Sequence, residues 1–185
     1  VYMKKWNELP KVMQNDKVKY YYDILLKHEK ELKLKRAFDI ICSLSMIIIL
    51  SPVLIVLSVM IKLDSKGPVL FKQVRVTTYG RKFKIWKFRT MVNNADKLGT
   101  QVTTKGDARI TRMGHLLRKV RLDELPQLFN VLKGDMTFVG TRPEVPKYTA
   151  HYTEEMMATF LLPAGVTSRT SIEYKDEEKL LENAE

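Results

Sequence analysis

The stretch from Ile40 to Ile61 constrains the fold of this chain most, because no residue within it carries a charge. As a helix, the run would be roughly 33 Å long at about 1.5 Å per residue, enough to cross a bilayer core of about 30 Å. A chain of 185 residues can bury one compact core, which is too small to enclose such a helix. The run therefore predicts a helix inserted into a membrane.

Ser51-Pro52 lies in the middle of this run and decides how the helix is expected to meet the bilayer. Proline removes one backbone hydrogen bond and clashes with the preceding turn, so we expect a sharp kink that leaves each half too short to cross alone. Basic residues, which prefer the cytoplasmic side, flank the run at both ends: Lys33, Lys35, Arg36, Lys62 and Lys66. These features favour a re-entrant helix-break-helix that dips into one leaflet. A kinked but spanning helix is the alternative, because spanning helices tolerate proline.

Asp123 and Glu124 are adjacent carboxylates at the predicted start of a helix that ends at Gly134. Backbone N–H groups at such a helix start favour ionised acids and attract phosphate. Three arginines flank the pair: Arg118, Arg121 and Arg142. Acids among arginines predict phosphate chemistry assisted by a metal ion. The simpler alternative is that Asp123 only caps the helix.

Residues 69–76 and 82–91 are expected to form a short β-hairpin around Tyr79-Gly80. The two-residue period of the second strand places Lys87 and Arg89 on one face, close enough to share a phosphate or diphosphate. A solvated cationic face is the alternative.

Residues 93–106 are predicted to form a loop, with a short helix around Ala95–Leu98 as an option. Beyond it, one helix is predicted after a cap at Asp107, and another from Asp176 to Glu182. The helix after Asp107 has an apolar stripe at helical spacing, formed by Ile110, Met113, Leu117 and Val120. On that helix, Arg118 and Arg121 are expected to share a face directed toward the carboxylate pair.

The net charge of +11 and the pI near 9.6 indicate an anionic partner: nucleic acid, an acidic membrane surface or a phosphorylated substrate. The single cysteine, Cys42, excludes an internal disulfide and a cysteine metal site, and favours a reduced, cytosol-facing protein. The three histidines are too far apart in sequence for a local zinc motif.

Several ordered motifs together resemble the monotopic bacterial phosphoglycosyl transferases, in their small form. The motifs are Lys35-Arg36-Ala-Phe-Asp39, Ser51-Pro52, Gly67-Pro-Val-Leu-Phe-Lys-Gln73, Lys87-Phe-Arg-Thr-Met91, Leu122-Asp-Glu-Leu-Pro-Gln-Leu-Phe-Asn-Val-Leu-Lys-Gly-Asp-Met136 and Val139-Gly-Thr-Arg-Pro143. The resemblance runs from about Leu34 to Pro143 and continues weakly to about Val166.

This resemblance implies transfer of a sugar 1-phosphate from a UDP-sugar to polyprenyl (undecaprenyl) phosphate, which releases UMP and initiates a bacterial surface glycan. Asp123 and Glu124 match the catalytic dyad, with Asp123 as the nucleophile that becomes esterified to the phosphosugar. The pair is also expected to hold Mg²⁺. Residues expected to bind the phosphates and the nucleotide are Lys87, Arg89, Arg118, Arg121, Arg142 and Pro143.

Two departures from the family pattern concern the loops that follow. Thr141 stands where members often have proline, and Ala164-Gly-Val-Thr-Ser168 replaces the usual Pro-Gly-Ile-Thr-Gly-Trp. The first departure affects the local loop geometry, and the second affects contacts to the donor sugar.

The expected fold class is α+β and mostly helical, with a re-entrant membrane helix joined to a small cytosolic domain that contains the hairpin. The segments are an N-terminal helical extension (1–34), the membrane helix with its break at Ser51-Pro52 (35–62) and a catalytic domain (63–185). We expect the protein in the bacterial inner membrane with its catalytic domain facing the cytoplasm. Its expected partners are membrane lipid, the UDP-sugar and polyprenyl phosphate, and a homo-oligomer is left open.

The alternative function is that of a non-enzymatic basic protein that binds membranes or nucleic acid through its excess charge. The sequence contains no base-stacking or groove-reading motif, so no nucleic-acid partner is expected. A scaffold with a decayed site is disfavoured by the intact Asp123-Glu124 pair.

Overall fold

A computed structural model of the chain describes residues 3–95 and 107–168. The helices in these ranges are α1 (Asp16–Lys27), α2 (Glu29–Asp64), α3 (Arg112–Lys119), α4 (Gln127–Lys133) and α5 (Pro146–Thr149). The strands are β1 (Leu70–Val76), β2 (Lys82–Phe88), β3 (Met136–Val139) and β4 (Ala164–Thr167). The mostly helical α+β class is confirmed. The helix predicted from Asp176 to Glu182, and most of the one predicted around Ala95–Leu98, lie outside the described residues.

The long helix α2 contains the uncharged run and continues through Ser51-Pro52. Pro52 has no N–H to donate to the carbonyl of Ile48, and the hydroxyl of Ser51 donates to that carbonyl instead, at 2.8 Å. A serine before the proline therefore satisfies the acceptor that the proline frees, as membrane helices require. The helical backbone is not interrupted at this point, and the re-entrant arrangement stays a prediction.

Within the described residues, α2 is the one helix long and apolar enough to cross a membrane. Only 11% of its most apolar 18-residue window is buried, which separates it from the core helix of a soluble protein. Ile48, Ile49 and Ile55 are examples of its exposed side chains. This apolar surface indicates membrane association.

The described residues pack as two compact units. Within the described ranges, the first comprises residues 3–40, 74–83 and 131–168, and the second comprises residues 41–73, 84–95 and 107–130. The predicted segment boundaries at residues 34 and 62 both fall inside α2, and the three-part division stays a prediction.

The core of the first unit is built partly from the N-terminal extension. Met13 and Val18 are fully buried and pack in one cluster with Phe160 and Leu161. Nearby, β3 and β4 pair in parallel, with Met136 opposite Ala164. The extension is therefore part of a folded core.

The core of the second unit joins the end of the membrane helix to the elements that carry the predicted site. Leu57 and Ile61 of α2 cluster with Phe88 of β2 and Leu117 of α3. Phe88 and Leu117 are adjacent in sequence to Lys87 and Arg118. This packing attaches the strand and the helix that carry those two cations to the end of α2.

Two further sequence predictions concern β2 and α3. The strands β1 and β2 form a two-stranded sheet, and Thr78–Gly80 lies in the segment between them. The hairpin itself stays a prediction. The prediction that Asp107 caps the next helix is wrong, because α3 begins at Arg112 and the Thr111 side chain accepts from the Gly114 N–H at 3.0 Å. Asp107 instead pairs with Arg109.

Candidate active site

Asp123 and Glu124 lie in a single 3₁₀ turn, Leu122–Glu124, which precedes α4. The prediction that they occupy the first turn of the following helix is wrong, since α4 begins at Gln127. Pro126 explains this, because it has no N–H for the Leu122 carbonyl, and that carbonyl accepts from Leu125 N–H in a tighter turn. The predicted helix stop is confirmed, with Gly134 at φ 86° directly after α4.

Glu124 forms an ion pair with Lys87 of β2. The Lys87 Nζ lies 2.7 Å from Glu124 Oε1, and the two side chains are only 24% and 22% exposed. A pair shielded to this degree is less weakened by solvent and salt than a surface pair. The contact fixes the carboxylate pair relative to β2.

The environment of Asp123 disfavours its charged form. Burial raises the pKa of the Asp123 carboxyl above its ordinary value, and the negative charge of Glu124 raises it further. Lys87 and Arg118 oppose this rise by attraction to the carboxylate. A backbone hydrogen bond to Asp123 lowers this pKa, as expected where a helix starts, but burial raises the pKa by more. A carboxyl with a raised pKa next to cations is a common sign of a functional group.

Arg118 belongs to the last turn of α3, and its Nε donates to Thr90 Oγ1 at 2.9 Å. It lies close enough to Asp123 to lower the pKa of that carboxyl. Gly114 allows α3 to come close to Thr90, because a Cβ at this glycine would lie 2.0 Å from the Thr90 carbonyl oxygen. The structure thus brings Asp123, Glu124, Lys87 and Arg118 together.

Arg89 has a different environment from Lys87. The strand β2 ends at Phe88, and the Arg89 Nη2 donates to the carbonyls of Ile61 and Ser65, at 3.3 and 2.6 Å. Arg89 was expected to share a face of β2 with Lys87, but its side chain contacts the C-terminal end of α2 instead. Arg89 is 5% exposed, and its Nε and Nη1 have no hydrogen-bond partner in the described part of the chain. Phosphate binding by Arg89 stays a prediction.

Arg121, Arg142 and Pro143 are the remaining predicted phosphate-binding residues. Arg121 follows the end of α3 with φ 55°, so it does not share a helical face with Arg118 as expected. Arg142 and Pro143 belong to the first unit, in the loop after β3, where the Pro143 carbonyl accepts from Arg75 Nη1 at 3.1 Å. The phosphate-binding roles of these three residues stay predictions.

Lys35 and Arg36 are predicted to flank the membrane helix, and the structure gives both a packing role as well. Arg36 donates to the carbonyls of Val131 and Leu132, at 2.6 and 2.9 Å. Lys35 contacts Asp39, which is 3% exposed and also accepts from the Thr137 hydroxyl. These bonds hold the start of α2 within the first unit.

Asn130 is a positioning residue that the sequence reasoning missed. Its Oδ1 accepts from the Trp86 N–H at 3.0 Å, and its Nδ2 donates to the Lys84 carbonyl at 2.9 Å. The side chain thus pairs with β2 as a neighbouring strand would. The one available sequence signal was an asparagine among the apolar residues of α4, where a buried amide needs hydrogen-bond partners.

A metal ion at this site would need carboxylate or other donor side chains close together. Among the described residues, no group of three or more His, Cys, Asp and Glu side chains could hold a metal ion, and the candidate ligands are the Asp123-Glu124 pair. Mg²⁺ is commonly held by one or two carboxylates together with substrate phosphates and water. The pair therefore fits Mg²⁺ in combination with a phosphorylated substrate.

Comparison with known proteins identifies the relatives of the chain. A protein of Aeromonas hydrophila, a UDP-N-acetylgalactosamine-undecaprenyl-phosphate N-acetylgalactosaminephosphotransferase, is 46% identical over 66% of this chain and 29% of its own length. A UDP-glucose:undecaprenyl-phosphate glucose-1-phosphate transferase of Klebsiella pneumoniae is 41% identical over 82% of this chain and 33% of its own. An exopolysaccharide production protein of Rhizobium leguminosarum is 51% identical over 60% of this chain and 56% of its own.

The chain thus spans about a third to a half of the length of these relatives. The sequence model of the family described as bacterial sugar transferase matches residues 30–184, which is more than four fifths of the chain. The match includes the carboxylate pair and all the cations around it, and it begins after α1. By this match, the chain belongs to the bacterial sugar transferase family.

Proposed function

We propose that this protein transfers a sugar 1-phosphate from a UDP-sugar to undecaprenyl phosphate, releases UMP and so initiates a surface glycan. The observation that carries the proposal is the shielded carboxylate pair: Asp123 with a raised pKa, and Glu124 bonded to Lys87, beside Arg118. The named activities of the relatives support the same reaction.

The reaction proceeds in two displacements at one phosphorus atom. In the first, an oxygen of the Asp123 carboxylate attacks the sugar-bearing phosphorus, and the bond from that phosphorus to the UMP oxygen breaks. In the second, an oxygen of undecaprenyl phosphate attacks the same phosphorus, and the bond to Asp123 breaks. The second step restores the carboxylate and leaves the sugar joined to the lipid by a diphosphate.

The cations of the site oppose the repulsion between a carboxylate and a diphosphate. Arg118 and Lys87 stabilise charge on the transferring phosphoryl oxygens, and both already attract the Asp123 carboxylate. Mg²⁺, held by Glu124 and Asp123 together with the substrate phosphates, would supply further charge neutralisation. Partial burial of Asp123 leaves its carboxylate poorly solvated, which favours attack on phosphorus.

The location of the site suits an acceptor whose chain stays in the bilayer. Leu57 and Ile61, at the end of the apolar helix, pack against the immediate neighbours of Lys87 and Arg118. A lipid phosphate at the membrane surface would then need little movement to reach Asp123. We place the protein at the inner membrane, with this unit on the cytoplasmic side where UDP-sugars are present.

The test uses the detergent-solubilised full chain with Mg²⁺, undecaprenyl phosphate and a panel of UDP-glucose, UDP-galactose and UDP-N-acetylgalactosamine. UMP release is expected with at least one donor. Without the acceptor, intact-mass measurement should show an adduct of one sugar phosphate on the wild-type chain.

The variant Asp123→Asn should lose both UMP release and the adduct. The matched control is Asp23→Asn, which changes an exposed aspartate paired with Lys19 on α1 and should leave activity unchanged. Turnover by Asp123→Asn at the wild-type rate would exclude Asp123 as the nucleophile. No UMP release from any donor would favour the non-enzymatic alternative.

A further inference from the structure

Thr90, the residue that follows Arg89, contacts α3 at two separate points. Its backbone carbonyl accepts from the Thr111 N–H at 3.0 Å, at the cap of α3. Its hydroxyl accepts from the Nε of Arg118 at 2.9 Å, in the last turn of α3. Thr90 is 8% exposed, so its hydroxyl is a poor site for binding water or substrate directly.

The bond to Thr90 uses only one of the nitrogens of Arg118. In the ranges that the structure describes, the two terminal nitrogens of Arg118 donate to no protein acceptor. A guanidinium is planar, so a bond at Nε restricts the orientation of both terminal nitrogens. Two parallel N–H donors match two oxygens of a phosphoryl group.

We propose that Thr90 is a positioning residue, whose hydroxyl orients the Arg118 guanidinium so that both terminal nitrogens face the phosphoryl group attacked by Asp123. The inference rests on the proposed function and assigns one step of it. Thr90 itself touches no substrate. It acts through Arg118, and only its side chain is needed for this role, because its backbone carbonyl docks α3 independently.

A purely structural role for Thr90 makes different predictions from a positioning role. Thr90→Val keeps the shape and removes the acceptor, whereas Thr90→Ser keeps the acceptor. Losing a hydrogen bond to a charged group should lower kcat for UMP release about 10- to 100-fold in Thr90→Val. KM for the UDP-sugar should change less than about threefold, and Thr90→Ser should stay within about threefold of wild type.

The deciding measurement is a double-mutant cycle with Arg118→Met. If Thr90 acts through Arg118, Thr90→Val should cause no further loss of kcat in the Arg118→Met background. Independent, multiplicative losses would overturn the inference, and Thr90→Ala enters the same cycle if Thr90→Val does not fold. If the wild-type chain releases UMP and Thr90→Val is as active as wild type, the positioning role of Thr90 is overturned. The proposed function is then unaffected. A wild-type chain that releases no UMP overturns the proposed function as well.

Discussion

Replacing Gly114 by alanine tests how closely α3 approaches the end of β2. A Cβ at this position would lie 2.0 Å from the Thr90 carbonyl oxygen and 3.0 Å from the Ile110 Cγ2. Real Cβ atoms essentially never approach another atom closer than 3.0 Å. The helix and Thr90 must therefore separate by about 1 Å, which would break the 3.0 Å bond from the Thr111 N–H.

The expected cost follows from opposing contributions. Overpacking costs about 1–3 kcal/mol and the lost hydrogen bond about 1 kcal/mol. Alanine gains about 1 kcal/mol over glycine inside a helix. The net loss of about 1–3 kcal/mol should lower Tm by roughly 3–10 °C. A shift of about 1 Å in Arg118 should also lower UMP release about 100-fold.

The measurement compares Tm in one detergent by intrinsic fluorescence, and UMP release well below both Tm values. His115→Ala is the matched control, since it changes an exposed neighbour on α3 and should stay within about 0.5 kcal/mol of wild type. If Gly114→Ala were as stable and as active as wild type, the close approach of α3 to Thr90 would be refuted. The higher helix propensity of alanine, taken alone, predicts no loss of stability, whereas the close contact with Thr90 predicts a loss. The measured Tm therefore distinguishes the two explanations.

Three further predictions concern the carboxylate pair and its support. Lys87→Met removes a cation that lowers the pKa of Asp123, so that pKa rises and the acid limb of the pH–rate profile moves to higher pH. Because the folded pKa of Asp123 is raised, its stabilising contribution is present at low pH and is lost as pH rises through that pKa. Asp123→Asn should therefore raise Tm at neutral pH while abolishing activity, and the Tm gain should vanish in acid. Asn130→Leu leaves the Trp86 N–H without its acceptor and should lower the free energy of unfolding by about 1–3 kcal/mol in a denaturant titration, whereas an unchanged midpoint would contradict the pairing with β2.

The local pattern of the sequence was sufficient to predict the apolar helix and the stop of α4. Both depend on residues close in the chain: the uncharged run within α2, and Gly134 with its positive φ after α4. The same reasoning wrongly predicted Asp123 in the first turn of α4, because the leucines have helical spacing from Leu125 onward. That spacing does not show that Pro126 lacks the N–H needed to continue a helix back to Leu122. A single missing donor changed the local structure of the carboxylate pair.

Contacts between distant residues account for most of what the sequence did not predict. Arg89 was expected to lie on one face of β2 with Lys87, whereas its hydrogen bonds go to the carbonyls of Ile61 and Ser65. Asn130 bonds to one backbone N–H and one backbone carbonyl of β2. Nearly every residue type carries both groups, so residue types do not reveal these partners. Charge and spacing thus predicted that Lys87 and Arg118 lie near the carboxylate pair, but the bonds that hold these side chains depend on the folded backbone.

Four consecutive residues, 87–90, each contact a different part of the second unit. Lys87 reaches Glu124, Phe88 the apolar cluster, Arg89 the end of α2, and Thr90 the side chain of Arg118. A substitution changes one of these contacts, whereas an insertion or deletion changes which residue occupies each of the four positions. One inserted residue would turn the phenyl ring toward the acid and the ammonium group toward the leucines. A substitution in this segment should therefore disturb one contact, whereas an insertion should disturb all four at once.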